Sequence, residues 1–225
     1  MKKKTNIIFN DKKLLEQAFI HRSYINENTG SSLCHNERLE FLGDAVLELI
    51  VTDYLYNKYP DRDEGSLTAY RSSLVNAITI GEIALSLGMN EYLLLSKGEA
   101  KDVGKARGYI LANTYEAYVG AVYLDRGYDV VKDFIAKTLF NKIDTIVAKK
   151  LWRDPKSLIQ EKSQEYLNVT PSYKVLSEAG PDHDKHFTIG IFFGEELVAE
   201  GKGKSKQEAE QEAARKALEV KDWLD

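Results

Sequence analysis

The chain has 225 residues, 43% of them hydrophobic and 29% charged, with a formal net charge of −4 at pH 7. That balance suits one large or two small globular domains and excludes a disordered chain, while the lone Cys34 excludes an internal disulfide and fits a reducing compartment. No apolar run reaches the roughly 18 residues a bilayer span needs, and the amino terminus opens like a signal peptide without its hydrophobic stretch, so a cytoplasmic location and no membrane partner are expected.

Residues 12–148 read as a succession of helices. Apolar spacings of three and four recur, breaks fall at Pro60, Gly65, Gly88, Gly104 and Gly127, and alternating strands are absent. One helix stands out, in the run Asn36-Glu37-Arg38-Leu39-Glu40-Phe41-Leu42-Gly43-Asp44-Ala45-Val46-Leu47. At 100° per residue, Glu37, Glu40, Asp44 and Glu48 share one arc, and Leu39, Leu42, Val46, Leu49 and Ile50 share the opposite side. The apolar side reads as core. Like charges at i,i+4 repel by a few tenths of a kcal/mol per pair. A chain accepts that cost when a cation or a proton sits between the carboxylates; the plain alternative is a solvated acidic face. Gly43 inside a helix costs about 1 kcal/mol relative to alanine, which suggests a close approach there. A second helix, Tyr109 to Asp125, places Asn113, Glu116 and Gly120 on one face at i, i+3 and i+7.

Residues 149–155 read as a linker, with Asp154 or Pro155 opening the next helix. Beyond it the texture changes. Lys156 to Tyr166 is helical, Ser172 to Leu176, Phe187 to Phe193 and Glu196 to Glu200 read as strands, and Lys206 to Leu218 is a final helix. The expected organisation is an all-α domain over residues 1–148, then a small α+β domain of order α-β-β-β-α over residues 156–225. Residues 1–150 carry 20 basic against 20 acidic side chains and residues 151–225 carry 11 against 15. Any nucleic-acid contact must therefore come from local patches.

The run from Asn36 to Leu47 resembles the signature of the ribonuclease III family, the double-strand-specific RNA endonucleases. His21-Arg22-Ser23-Tyr24 looks like the family's early helix motif, and Glu64 to Thr68 with Arg71 to Asn76 looks like its central segment. Ile110 to Asp125 looks like its second catalytic helix, and residues 154–220 look like the double-stranded RNA-binding domain of bacterial members. The resemblance implies an all-α endonuclease domain followed by that α+β module. It also implies a magnesium-dependent enzyme, with manganese as a substitute and no organic cofactor, that cuts both strands of double-stranded RNA to leave 5′-phosphates and 3′-hydroxyls. Processing of ribosomal and messenger RNA is the implied role. The implied catalytic and metal-binding cluster is Glu40, Asp44, Asn113 and Glu116. Phosphodiester hydrolysis suits such a set, because a divalent cation neutralises the phosphate and acidifies a bound water, and magnesium takes oxygen ligands. The family has an aspartate where this chain has Asn113. An amide oxygen can still ligate, but it brings no charge and cannot act as a base. Two outcomes stay open: a variant that still cuts, and an RNA-binding protein with impaired cleavage.

Glu37 and Glu64 match further acidic positions and are expected near the cleavage site, orienting RNA or organising water; as isolated residues they read equally as solvated charges. Phe41 matches a position that helps lock two catalytic domains into a homodimer. In the RNA-binding module, Gln160, Glu161 and Gln164 are the expected minor-groove contacts, with His183 in the loop after the first strand. Lys202, Lys204, Ser205 and Lys206 lead into the last helix and are expected to meet phosphates. Gln207 stands where the family usually has another lysine.

Overall fold

The computed structural model describes residues 5–30, 32–101, 104–148, 152–181 and 185–223. The chain divides into two compact units, Met1–Trp152 and Arg153–Asp225.

The first unit is helical: α1 (Lys12–Ala18), α2 (Arg22–Glu27), α3 (Glu37–Lys58), α4 (Glu64–Leu74), α5 (Ala77–Ser86), α6 (Lys97–Lys101), α7 (Lys105–Arg126), α8 (Tyr128–Thr138) and α9 (Ile143–Ala148). Polar side chains set several of the helix starts. Asp63 accepts from the Ser66 amide at 2.6 Å, and Asn76 accepts from the Thr79 amide at 2.9 Å. The buried Asn36 behaves differently. Its side chain donates to the Ala18 carbonyl at 3.1 Å and its backbone amide donates to the Ile20 carbonyl at 2.9 Å, which ties the start of α3 to the end of α1.

The two long helices, α3 and α7, cross at glycines. A Cβ on Gly43 would lie 1.7 Å from the Glu116 carbonyl oxygen, and one on Gly120 would lie 2.2 Å from the Leu39 carbonyl oxygen. Backbone meets backbone there, which is why the helix tolerates Gly43 despite its propensity cost. Leu47, Ile50, Val51 and Leu55 of α3 join Leu111, Tyr115, Tyr118, Val119 and Val122 of α7 in one core, with Ile135 of α8 against them. Tyr115 and Tyr118 are fully buried, and their hydroxyls bond to Thr138 at 2.8 Å and Thr5 at 3.0 Å.

Three expectations need correction. Leu49, assigned to the apolar side of α3, is 58% exposed, because it stands at the margin of the apolar stripe. Gly65 does not break a helix but sits in the first turn of α4, behind the Asp63 cap. Trp152, placed in the expected linker, packs edge-on against Tyr70 with ring centroids 5.0 Å apart and so belongs to the first core.

The second unit runs α10 (Pro155–Leu167), β1 (Ser172–Ala179), β2 (His186–Phe193), β3 (Glu196–Gly203) and α11 (Lys206–Val220). Asp154 caps α10, accepting from the Ser157 amide at 2.8 Å, with Pro155 in the first turn. The strands form an antiparallel sheet of order β1-β2-β3, in which Tyr173 faces Ile191 and Ile191 faces Ala199. The strands run longer than the apolar alternation suggests because ladder pairing continues through Glu178 and Lys202. The helices cover one face, with Leu158, Ile159, Ile191, Phe193, Ala213, Ala214, Ala217 and Leu218 as core. Small residues let α11 lie on β3: a Cβ on Gly201 would fall 2.1 Å from the Ala209 carbonyl oxygen. No helix among the described residues is long and apolar enough to cross a membrane.

Candidate active site

The glycine crossing brings the acidic row of α3 against the middle of α7. Glu40 and Glu116 are partly buried and Asp44 is exposed. Burial pushes the Glu116 carboxyl up to about 7, helped by the charges of Asp44, Glu40 and Glu48. Burial also raises Glu40, with Glu37 and Asp44 adding to it. Among the described residues, Glu40, Asp44 and Glu116 have no cationic side chain in an ion pair with them. Three acids without a counter-ion, sharing one field, fit a hard divalent cation in charge and in ligand type. Among the described residues no group of three or more His, Cys, Asp or Glu side chains is arranged so that it could hold a metal ion, so the fit is one of charge and ligand type.

The other expected members are placed differently. Asn113 lies on α7 almost one turn before Glu116, exposed and without a hydrogen-bond partner among the described residues. Glu37 pairs with Arg22 at 3.5 Å and lies 3.7 Å from His35, so it is engaged at the amino end of α3. Glu64 is in the first turn of α4, exposed, and accepts from the Thr68 hydroxyl at 3.3 Å. It is not among the charges acting on Glu40 or Glu116. The α4 side chain that reaches the acidic row is instead Arg71, 3.1 Å from Glu48. Sequence reasoning put Glu48 on the acidic arc but left it out of the site. Its spacing of four from Asp44 was the available signal, whereas nothing local marks Arg71 as its partner.

Phe41 is 81% exposed on α3. A separate, mostly apolar groove of about 790 Å³ is lined by Tyr24, Ile78, Leu85, Leu94, Arg107 and Tyr109 among others, and none of the acids above lines it. Cys34 is exposed.

In the second unit, Gln160, Glu161 and Gln164 form an exposed face of α10. Gln164 is partly used by its own helix end, donating to Asn168 at 3.1 Å and accepting from Thr170 at 3.4 Å. The start of α11 is a closed cap: Ser205 accepts from the Glu208 amide at 3.2 Å, and the Glu208 carboxylate accepts from the Lys204 amide at 3.0 Å. A carboxylate therefore sits where a phosphate was expected. The side chains of Lys202, Lys204 and Gln207 are exposed, and Lys206 lies 3.4 Å from Glu178 and 5.6 Å from the Phe187 ring centre. His183 lies outside the described residues.

Comparison with known proteins gives the same division. Residues 11–143 match the Ribonuclease-III-like family model and residues 155–221 match the double-stranded RNA binding motif. Ribonuclease 3 of Desulforamulus reducens is 44% identical over 206 residues, covering 92% of this chain and 84% of that protein. Ribonuclease 3 of Protochlamydia amoebophila is 46% identical over 215 residues, covering 96% and 88%. The nuclease domain of ribonuclease III from Campylobacter jejuni, described for flexibility in a region involved in dimer formation, is similar with a TM-score of 0.55 and 37% identity, covering 61% of this chain and 94% of that one. An acid-bearing helix crossing joined to a double-stranded RNA-binding motif, with relatives of this identity across nearly the whole chain, makes this protein a member of the ribonuclease III family of endoribonucleases.

Proposed function

We propose that the chain hydrolyses both strands of double-stranded RNA in a divalent-cation-dependent reaction, releasing 5′-phosphate and 3′-hydroxyl ends, and that it acts as a homodimer in the cytoplasmic processing of ribosomal and messenger RNA. The observation that carries this reading is the meeting of Glu40, Asp44 and Glu116 at the α3–α7 crossing, none of them in an ion pair among the described residues, on a chain that also has an RNA-binding module. Glu40, Asp44 and Glu116 would hold magnesium or manganese, with the Asn113 amide oxygen as a neutral fourth donor. The cation supplies phosphate neutralisation and a more acidic water.

The chain's own groups do the rest. Glu116 carries a proton below about pH 7 and gives it up as the site takes a cation. The glycine crossing sets the separation of the two acid-bearing helices, and this supports a site whose carboxylates are positioned before a phosphate arrives. Attack of water on phosphorus with departure of the 3′ oxygen accounts for the product ends. In the second unit, the α10 face and the exposed lysines around β3 and α11 would read duplex shape through 2′-hydroxyls and phosphates. Phe41 supplies an apolar ring for a second copy to cover.

A second reading has its own observation. The exposed Asn113 amide adds no charge where the family has an aspartate, which favours an RNA-binding protein with impaired cleavage. One assay decides: cleavage of a long RNA duplex with magnesium by the native chain, Asn113→Asp and Glu116→Gln. Cutting by the native chain that is lost in Glu116→Gln, with duplex binding retained, supports the enzyme. Cutting only by Asn113→Asp supports the second reading. Undiminished cutting by Glu116→Gln removes this site from the reaction.

A further inference from the structure

Two acids on this face lie outside the proposed ligand set: Glu37, held by Arg22 at the amino end of α3, and Glu48. Glu48 follows Asp44 by four residues on α3, as Asp44 follows Glu40, so the three form a single row along the helix. Among the described residues, Glu48 is the one member of this row with a cationic partner. Arg71 Nε lies 3.1 Å from its carboxylate, and the same guanidinium donates through Nη1 to Thr52 Oγ1 at 3.1 Å, so Arg71 grips two residues one turn apart on α3. Both side chains of the pair keep a third or more of their surface exposed. An ion pair in such a setting is screened and does not cancel the Glu48 charge. One helical turn from Asp44, that charge stands within reach of a cation held there. On α7, position 113 offers only an amide.

We infer that Glu48 is a charge-supplying carboxylate of this active site, standing outside the ligands, and that Arg71 sets how much of its charge a bound divalent cation feels. The inference rests on the cation site proposed above. One charge is missing at Asn113 and one is present at Glu48, so the row on α3 restores part of the field that α7 lacks. In the water-like dielectric of an exposed, screened site, one unit charge about 6–10 Å from a divalent ion changes its affinity by about 3- to 10-fold. Arg71 opposes it. The pair is thus a positioning device whose two members act on the cation with opposite signs.

A purely mechanical clamp between α3 and α4 would behave otherwise, because breaking it from either side would loosen the site equally. Binding of Mn²⁺ to the full-length chain, followed by electron paramagnetic resonance at low ionic strength, separates the two. Glu48→Gln should weaken Mn²⁺ binding by about 3- to 10-fold, and Arg71→Gln should strengthen it by about 2-fold or more. Arg71→Lys, which keeps the charge but loses the forked geometry, should stay near the native affinity. Thermal melts of each variant confirm that it is folded, and Arg71→Lys serves as the charge control if Arg71→Gln does not fold. Weakening by Glu48→Gln and Arg71→Gln alike, or native affinity in Glu48→Gln, overturns the inference. Asp44→Asn is the separate control: if it also leaves Mn²⁺ binding unchanged, the cation site itself is wrong and both readings fall.

Discussion

Gly43→Ala tests the crossing directly. The added Cβ would stand 1.7 Å from the Glu116 carbonyl oxygen, and real Cβ atoms essentially never come under 3.0 Å. The obstacle is backbone, so no side-chain rotation relieves it, and the helices must part by about 1.3 Å or more. Overpacking of this kind costs about 1–3 kcal/mol and sometimes more, and rigid helices place this case at the upper end. Against it stands a gain of about 1 kcal/mol from replacing a helical glycine with alanine, so the net loss should be about 2 kcal/mol. Gly108→Ala is the matched control, because it lies on α7 and its Cβ would meet nothing within 4 Å. It should be neutral or stabilising by up to about 1 kcal/mol. Urea denaturation of both variants measures the difference, and cleavage should fall in Gly43→Ala alone, since the acids of α3 and α7 are moved apart. Equal stability of Gly43→Ala and the native chain would refute the close crossing.

The remaining tests address charge, assembly and RNA binding. Glu116 has an ordinary carboxyl value of 4.5 when unfolded and about 7 when folded, so the native cation-free chain holds an extra proton between those limits. The stability this gives is fully present below pH 4.5 and is lost as pH rises through about 7. Glu116→Gln should therefore raise cation-free stability at pH 8, on the order of 1–2 kcal/mol after allowing for partial exposure; an unchanged pH profile of thermal melts would contradict this. Phe41→Ala should leave the melting of a monomer nearly unchanged but shift sedimentation toward monomer, with a dimer weakened by at least about 2 kcal/mol. A native chain that sediments as a monomer at micromolar concentration would sink the dimer. Residues 153–225 have their own core, and as a fragment they should bind duplex RNA more tightly than duplex DNA, with a salt slope that falls by about 1 on Lys202→Ala. Equal affinity for the two duplexes would exclude the shape reader.

Much of this was legible in the sequence because it is local. Helical spacing and a long signature placed Glu40, Asp44 and Glu116 on two helices, and the costly Gly43 pointed to a near neighbour without naming it. The neighbour was Glu116's own backbone, more than 70 residues away. The Glu48–Arg71 pair was not legible for the same reason: each residue is ordinary in its own helix, and only the packing of α4 on α3 joins them. Leu49 shows the limit of a helical wheel, which gives a direction but not the width of the surface that covers it. At α11 the lysines and the Ser205 cap could be read from sequence, but the Glu208 carboxylate closing that cap is a choice of side-chain geometry.

The two buried tyrosine hydroxyls of α7 bear on how the active site can respond to a ligand. Tyr115 and Tyr118 flank Glu116 in sequence and point away from it, each anchored at its tip, one to Thr138 and the other to Thr5. Turning α7 about its own axis would break both bonds inside the core, each worth about 1 kcal/mol net and more if left unsatisfied. The helix is therefore indexed like a keyed shaft, free neither to spin nor, with Gly43 and Gly120 in contact, to move closer to α3. Any adjustment that a phosphate or a cation demands of Glu116 falls to its side-chain torsions, and variants that loosen either tyrosine tip should blur the site without touching an acid.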